Sequence, residues 1–193
     1  MDEVPRHIEI VLAYERLFRS QIISEAIALE SVVDEIVAWH FCADDRKHPL
    51  LFTLIFKEGE ISFGKKIRIL AKLLRQCYPD LKSTFGTLPK RLDALRSLRN
   101  KLAHCDVVLP DEPASPGAAE GVTLRYFKDG EQVEEFIARR QVDRTVAECR
   151  YLQVMALALR VMIQGRATGE RRIDQEEGLI AVAEVLKQRI PPA

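Results

Sequence analysis

PRHIEIVLAYERLFRSQIISEAIALESVVDEIVAWHF, residues 5–41, is the longest helical pattern in the chain and decides its fold class. Its apolar residues recur mainly at steps of three and four, and no glycine or proline follows the first residue of the run. Such spacing puts the apolar side chains on one side of an α-helix, where they can pack into a core. The stretch therefore predicts one long helix, or two helices that are nearly in line.

Two amphipathic helices follow this run. FGKKIRILAKLLRQC, residues 63–77, carries an apolar stripe opposite its lysines and arginines, and Ser62 is placed to cap its start. Another helix begins after Thr87, has Pro89 in its first turn, and repeats leucine at steps of three and four. Between them and the first helix, LLFTLIF, residues 50–56, is too short to classify by period, and its helical neighbours favour a short helix.

A loop and a β-hairpin interrupt the helical pattern. LPDEPASPGAAEG, residues 109–121, contains three prolines and two glycines and predicts a surface loop. The β-prone runs VTLRYF and QVEEFIA then flank Asp129 and Gly130, a pair typical of hairpin turns. Because two strands alone are only marginally stable, we expect the hairpin to lie against the helices or to pair with another chain.

The remaining segments are helical, and together the elements predict a mainly α fold. A long helix covers residues 139–164 and ends at Gly165, and a short last helix covers residues 178–190. A length of 193 residues, 47% of them apolar, suits one compact domain. We therefore expect a single domain over residues 1–193: a bundle of four to five helices with a loop and β-hairpin inserted at about residues 109–138.

The charge balance excludes a strong global attraction to nucleic acid or to an anionic membrane. Lysine plus arginine and aspartate plus glutamate each total 29, so the formal net charge is zero. No apolar run approaches the roughly 18 residues of a membrane span, and the acidic start MDEVPRHIEI lacks the apolar stretch of a secretion signal. We expect a cytoplasmic protein without membrane contact, in which any RNA contact comes from a local basic surface.

Neither the cysteines nor the histidines have the spacing of a metal site. No CxxC pair is present, so the sequence predicts no zinc cluster and no disulfide scaffold, but single buried thiols. The histidines share no metal-ligand spacing with carboxylates. We therefore expect neither a metal nor a cofactor. The four cysteines are Cys42, Cys77, Cys105 and Cys149.

A locally basic helix carries the candidate chemistry. Residues 90–104 hold two lysines and three arginines against one aspartate. On a helix Arg96, Asn100 and His104 share one face, whereas Arg99 and His104 lie about 140° apart around the axis and about 7.5 Å along it. Arginine supplies a planar fork of donors, asparagine orients a neighbour, and an imidazole exchanges protons near neutral pH. Such a set at one helix end can hold a phosphate.

The run RNKLAH, residues 99–104, resembles the motif of the HEPN superfamily of α-helical domains. These domains are found in prokaryotic toxin–antitoxin and phage-defence systems and in RNA-processing proteins. Their signature is R-x4-6-H with a polar residue, often Asn, after the Arg, and Arg99, Asn100 and His104 match it. The likeness extends as a helical pattern over roughly residues 5–165.

In active members this resemblance implies metal-independent RNA cleavage at the interface of a homodimer, which supplies two arginines and two histidines. His104 would act as general base on a ribose 2′-OH or as general acid on the 5′-oxygen leaving group. Arg99 would neutralise the phosphorane-like charge, and Asn100 would orient the imidazole or hold phosphate. The products would carry 2′,3′-cyclic phosphate ends. The expected RNA-binding cations are Arg96, Lys101, Lys65 and Lys66.

Two alternatives to catalysis stay open. One is binding of a nucleotide or RNA without cleavage. The other is a scaffold for a partner protein, such as an antitoxin, with Arg99 bonded to a carboxylate of the first helix and His104 at the negative end of its own helix. Glu25 and Glu30 could supply a carboxylate to either cation. The hairpin and the proline-rich loop extend the minimal HEPN bundle and could form a partner surface.

Overall fold

Helices make up most of the residues that the structure describes. The computed structural model describes residues 6–44, 46–57, 61–108, 121–128, 130–170 and 173–192. Five of the helices in these ranges are longer than ten residues, which confirms a mainly α architecture. In chain order the helices are α1 (Arg6–Phe41), α2 (His48–Leu51), α3 (Phe63–Gln76), α4 (Lys82–Phe85), α5 (Leu88–His104), α6 (Arg139–Thr168) and α7 (Ile173–Gln188).

The centre of the bundle is the pair α1 and α6, which are 36 and 30 residues long. Helices α3 and α5 pack on α1, and α7 packs on α6. Each fully buried leucine or isoleucine of the central pair contributes roughly 1.5–3 kcal/mol relative to an exposed one. Those side chains are Ile22, Leu29 and Ile36 in α1, and Leu152, Leu159 and Ile163 in α6.

The helices predicted in the first half of the chain are confirmed, with two differences. The N-terminal run forms one helix, and the short run after it forms α2, which continues as a π-helical stretch, Phe52–Lys57. Ser62 and Thr87 stand at the predicted N-cap positions, but neither side chain makes a capping hydrogen bond. The sequence therefore predicted where α3 and α5 begin, but it did not predict that their N-cap side chains make no hydrogen bond.

The predicted hairpin exists and belongs to a three-stranded antiparallel sheet. Strand β1 (Asp106–Val108) pairs with β2 (Gly121–Lys128), which pairs in turn with β3 (Glu131–Ala138). Gly130 adopts a φ of +86° at the turn, a conformation that glycine accepts without strain. The sheet lies against α1 and α6, and its buried side chains are Val122, Leu124 and Ile137. Of the predicted loop at residues 109–121, residues 109–120 lie outside the described residues, and Gly121 begins β2.

The end of α6 corrects one prediction. Gly165 does not stop the helix: it is buried within α6, and the helix continues to Thr168. The chain leaves the helix at Gly169, whose φ of +76° is the left-handed conformation that glycine favours at helix ends. The last helix also begins earlier than expected, at Ile173. Asp174 and Glu176 fall in its first turn, where carboxylates interact favourably with the positive end of the helix dipole.

The cysteines are free, and only some are buried. Cys105 and Cys149 are buried, Cys42 is half-buried, and Cys77 is exposed, so the expectation of buried thiols is wrong for Cys77. Burial raises the pKa of the Cys149 thiol to about 12, so this group stays protonated at neutral pH.

Across the described ranges, no helix combines the length and the apolar character that crossing a membrane requires.

Candidate functional site

Helix α5 holds Arg99 one turn from its buried leucines, with Asn100 farther round toward its polar side. Leu95 and Leu102 are buried in the core, whereas Arg99 and Asn100 are half-buried beside a groove. The Arg99 Nη1 group donates a hydrogen bond of 3.1 Å to the Asn100 Oδ1 atom. Among the described residues, no carboxylate forms an ion pair with Arg99. Its guanidinium is therefore held by a neutral neighbour and has no carboxylate partner in the described part of the chain.

His104 is the last residue of α5, and its side chain is exposed. The next residue, Cys105, turns into extended backbone and is buried. Arg19 of α1 donates a 3.1 Å hydrogen bond from its Nη2 group to the Cys105 carbonyl, and its Nε group pairs with Glu15. The exposed imidazole thus sits on a helix end that is tied to α1.

Arg19 was missed in the sequence because its partner is a backbone carbonyl 86 positions away. A backbone acceptor leaves no trace in residue types, so no sequence signal could have found this contact. Cys105, next to His104, is buried in the core, and burial raises the pKa of its thiol.

A groove of about 780 Å³ runs between α3 and α5, with one residue of α1 at its border. The structure brings Arg96, Arg99 and Asn100 together here and leaves His104 outside the lining. Since Arg99 and His104 project about 140° apart on one helix, a single chain does not converge them on one point. The lining residues are Glu30, Ser62, Phe63, Gly64, Ile67, Arg68, Ala71, Asp93, Arg96, Arg99 and Asn100.

The two lysines predicted to extend a basic groove have opposite surroundings. Lys65 is exposed, whereas Lys66 is only 2% exposed. The Lys66 Nζ group lies 2.8 Å from Asp34 Oδ1 and 3.0 Å from Glu30 Oε1, and donates to the Phe56 carbonyl at 3.3 Å. The prediction that Lys66 contacts RNA is therefore wrong, because its amine is enclosed and neutralised.

Lys101, another predicted RNA contact, is also paired with a carboxylate. Its Nζ group lies 2.6 Å from Glu135 Oε2 of β3, which accepts a second hydrogen bond from the Tyr126 hydroxyl at 2.7 Å. Burial lowers the pKa of Lys101, but its hydrogen bonds to Glu135 and Tyr126 outweigh this and raise the pKa above its usual range. The same bond from Lys101 lowers the pKa of Glu135. This cluster docks the sheet onto α5.

The two carboxylates of α1 that were considered as partners of the motif are engaged elsewhere. Glu25 accepts a hydrogen bond from Gln153 of α6. Glu30 borders the groove but binds Lys66. Within the part of the chain that the structure describes, neither carboxylate forms an ion pair with Arg99 or His104.

Of the predicted RNA contacts, Arg96 reaches the groove. Its Nε group lies 2.8 Å from Asp93 Oδ1, one turn earlier on α5, so one edge of the guanidinium is already bonded.

In the described ranges, no three His, Cys, Asp or Glu side chains gather closely enough to hold a metal ion. No protein-family model, no curated protein and no solved structure matches this chain.

Proposed function

We propose that this chain is a HEPN-like, metal-independent endoribonuclease that acts as a homodimer, with Arg99 and His104 of two subunits around one phosphodiester. The observation that carries the proposal is the pairing of a half-buried Arg99 with Asn100, with no carboxylate partner for Arg99 among the described residues, on the helix that ends in the exposed His104. A toxin–antitoxin or phage-defence system is the setting that the motif implies.

The chemistry follows from what the two side chains can do. One His104 imidazole accepts the proton of a ribose 2′-OH, and the freed oxygen attacks the neighbouring phosphorus. The bond from phosphorus to the 5′-oxygen breaks, and the same imidazole, protonated in the first step, donates that proton to the departing oxygen. Arg99 stabilises the extra negative charge on the phosphoryl oxygens as it forms. The products are a 2′,3′-cyclic phosphate and a 5′-hydroxyl.

Two subunits supply what one chain lacks. The faces that carry Arg99 and His104 diverge within a chain, so a second His104 has to approach the groove side of the first chain. Both side chains reach solvent at least in part, which leaves them accessible to such an approach.

The test is an RNA cleavage assay on purified protein in EDTA. We expect the parent chain to cut mixed-sequence RNA and to leave cyclic phosphate ends. Arg99→Ala and His104→Ala should each lower the rate by roughly 10²-fold or more, because each removes a transition-state interaction. Lys90→Ala, on an exposed position of the same helix, should cut like the parent. Equal rates in all four proteins would refute the proposal.

A scaffold for a partner protein, such as an antitoxin, is the second candidate. It is favoured by large apolar side chains exposed where α1 ends and in the segments after it: Phe41 is 65%, Leu50 60% and Leu54 53% exposed. Exposed apolar side chains that occur together often mark protein contacts. A parent chain without any RNA cleavage in EDTA would leave this function as the better one.

A further inference from the structure

The groove between α3 and α5 contains a cation that the motif does not include. Arg68 lies on the α3 wall, across from Arg96 and Arg99 on the α5 wall. On α3, residues 64, 68 and 71 are one turn apart and form one face, and residues 93, 96 and 100 do the same on α5. Two helix faces with matching spacing thus enclose the groove. Its volume of about 780 Å³ falls within the usual size of small-molecule sites.

Among the residues that the structure describes, two guanidinium groups of the groove have no carboxylate partner. Of the two carboxylates in the lining, Asp93 is bonded to Arg96 and Glu30 is bonded to Lys66. Among the described residues, neither Arg68 nor Arg99 has a carboxylate partner. Guanidinium groups on both walls of a groove present planar donor forks toward the same space, an arrangement that suits phosphate oxygens.

We propose that Arg68 and Arg96 hold the phosphodiester next to the scissile one, so that the groove is a second phosphate subsite on the RNA path. This inference rests on the proposed function, because Arg99 at the same groove marks where the scissile phosphate lies. Arg68 is then a binding residue that orients the strand, and it takes no part in proton transfer.

The arrangement of Arg96 supports this assignment. A Cβ atom built on Gly64 would lie 3.5 Å from the Arg96 Nε atom and 3.6 Å from its Cζ atom. The guanidinium therefore lies directly over the first turn of α3. Because glycine has no side chain, the Arg96 guanidinium can pack closely against this turn.

A binding assay isolates the subsite from catalysis. The probe is a fluorescein-labelled 12-nucleotide 2′-O-methyl RNA, which cannot be cut because it has no 2′-OH to attack. Fluorescence anisotropy gives its affinity for the parent chain between 50 and 200 mM salt. We expect Arg68→Gln to weaken binding by about five- to tenfold and to reduce the salt slope by about one, as the loss of one phosphate contact does.

Two further variants complete the design. Arg75→Gln removes the same charge from an exposed position of α3 that does not line the groove, so it should bind like the parent. Gly64→Asp puts a carboxylate into the groove, where its Cβ makes ordinary contact, and acidic side chains in a first helical turn are favourable. We expect it to fold as stably as the parent and to bind the probe roughly tenfold more weakly.

The outcomes separate this inference from the proposed function. If Arg68→Gln and Gly64→Asp bind like Arg75→Gln, or if the parent does not bind the probe, the subsite is wrong even where the parent cuts RNA. If the parent cuts no RNA but Arg68→Gln selectively weakens binding, the nuclease proposal fails and the subsite stands. Displacement of the probe by micromolar inorganic phosphate would make the groove a site for free phosphate and overturn the strand contact.

Discussion

Lys65 and Lys66 are neighbours in the chain, but the Lys65 side chain is exposed and the Lys66 side chain is buried. The Lys66 amine is enclosed by Asp34, Glu30 and the Phe56 carbonyl, whereas Lys65 faces solvent. A buried ion pair is weak evidence for stability, because desolvation offsets most of the attraction. Removing one partner is a different change, since it leaves the remaining buried charge without compensation.

Lys66→Ala should therefore lower the free energy of unfolding by about 3–5 kcal/mol. It leaves the Asp34 carboxylate, which is 3% exposed, and Glu30 without the ammonium they share. Lys65→Ala, one residue earlier, should change the free energy by no more than about 0.5 kcal/mol. Urea unfolding followed by circular dichroism measures both. Similar free energies of unfolding for the two variants would mean that the contacts between the Lys66 amine and its carboxylates do not stabilise the fold.

The residues of the candidate site divide by whether their partner is close in sequence. Arg99, Asn100 and His104 could be chosen from six consecutive residues, and the periodicity of α5 placed Asn100 and His104 on its polar side and Arg99 one turn from Leu95. The burial of Lys66 could not be predicted, because its partner Glu30 is 36 positions away on another helix. Nothing in the sequence distinguishes Arg68, because a cation on an amphipathic helix is usually solvated. Only the packing of α3 on α5 makes it a groove residue.

At the scale of elements, α5 is held to the sheet by a polar cluster. Lys101 of α5, Glu135 of β3 and Tyr126 of β2 bond to one another, with the Lys101 ammonium 4.6 Å from the centre of the Tyr126 ring. The residues of β2 and β3 around this cluster are paired in register, with Leu124 opposite Glu135. The inserted sheet is thereby joined to the helix that carries the motif.

Glu135→Gln should lower stability by about 1 kcal/mol at neutral pH, because it weakens a partly exposed ion pair. The hydrogen bond from Lys101 lowers the pKa of Glu135 from its ordinary 4.5 in the folded state. The stabilisation is therefore complete above pH 4.5 and is lost as the pH falls through the lower folded pKa. Thermal unfolding of parent and variant at neutral and acid pH measures this.

The neighbouring Glu134 gives the control for that experiment. It pairs with Arg125 at 2.8 Å, but both side chains are more than 40% exposed, so solvent screens the pair. Glu134→Gln should unfold like the parent at every pH. A gap between the parent and Glu135→Gln that persisted unchanged in acid would show that the Glu135 charge does not hold the sheet.

Element predictions succeeded where a period ran over many residues. The apolar spacing of α1, α3, α5 and α6 is set by the core, so each helix could be read from the sequence. Strand β1 has only three residues directly after α5, too few for any period, and only its pairing with β2 makes it a strand. Gly165 failed as a stop signal because it is buried in α6, where packing overrides the low helix propensity of glycine.

At the scale of the whole molecule, the divergence of Arg99 and His104 determines how a dimer would have to work. The two side chains leave α5 about 140° apart, so the pair that acts on one phosphate comes from different subunits. In a symmetric dimer each Arg99 then has its functional His104 on the other chain, and the assembly holds two such pairs. A mixed dimer can separate this arrangement from one in which both groups come from the same chain.

Heterodimers of an Arg99→Ala chain and a His104→Ala chain, purified through two different tags, should recover about half of the parental RNA cleavage, since one pair across the interface stays intact. The matched control joins a parent chain to a chain with both substitutions. It also lacks one Arg99 and one His104, but neither pair across its interface is complete, so it should be inactive. Cleavage rates in EDTA decide between them. An active control beside an inactive heterodimer would place the functional pair within one chain and contradict the reading of α5 as a helix with two diverging faces.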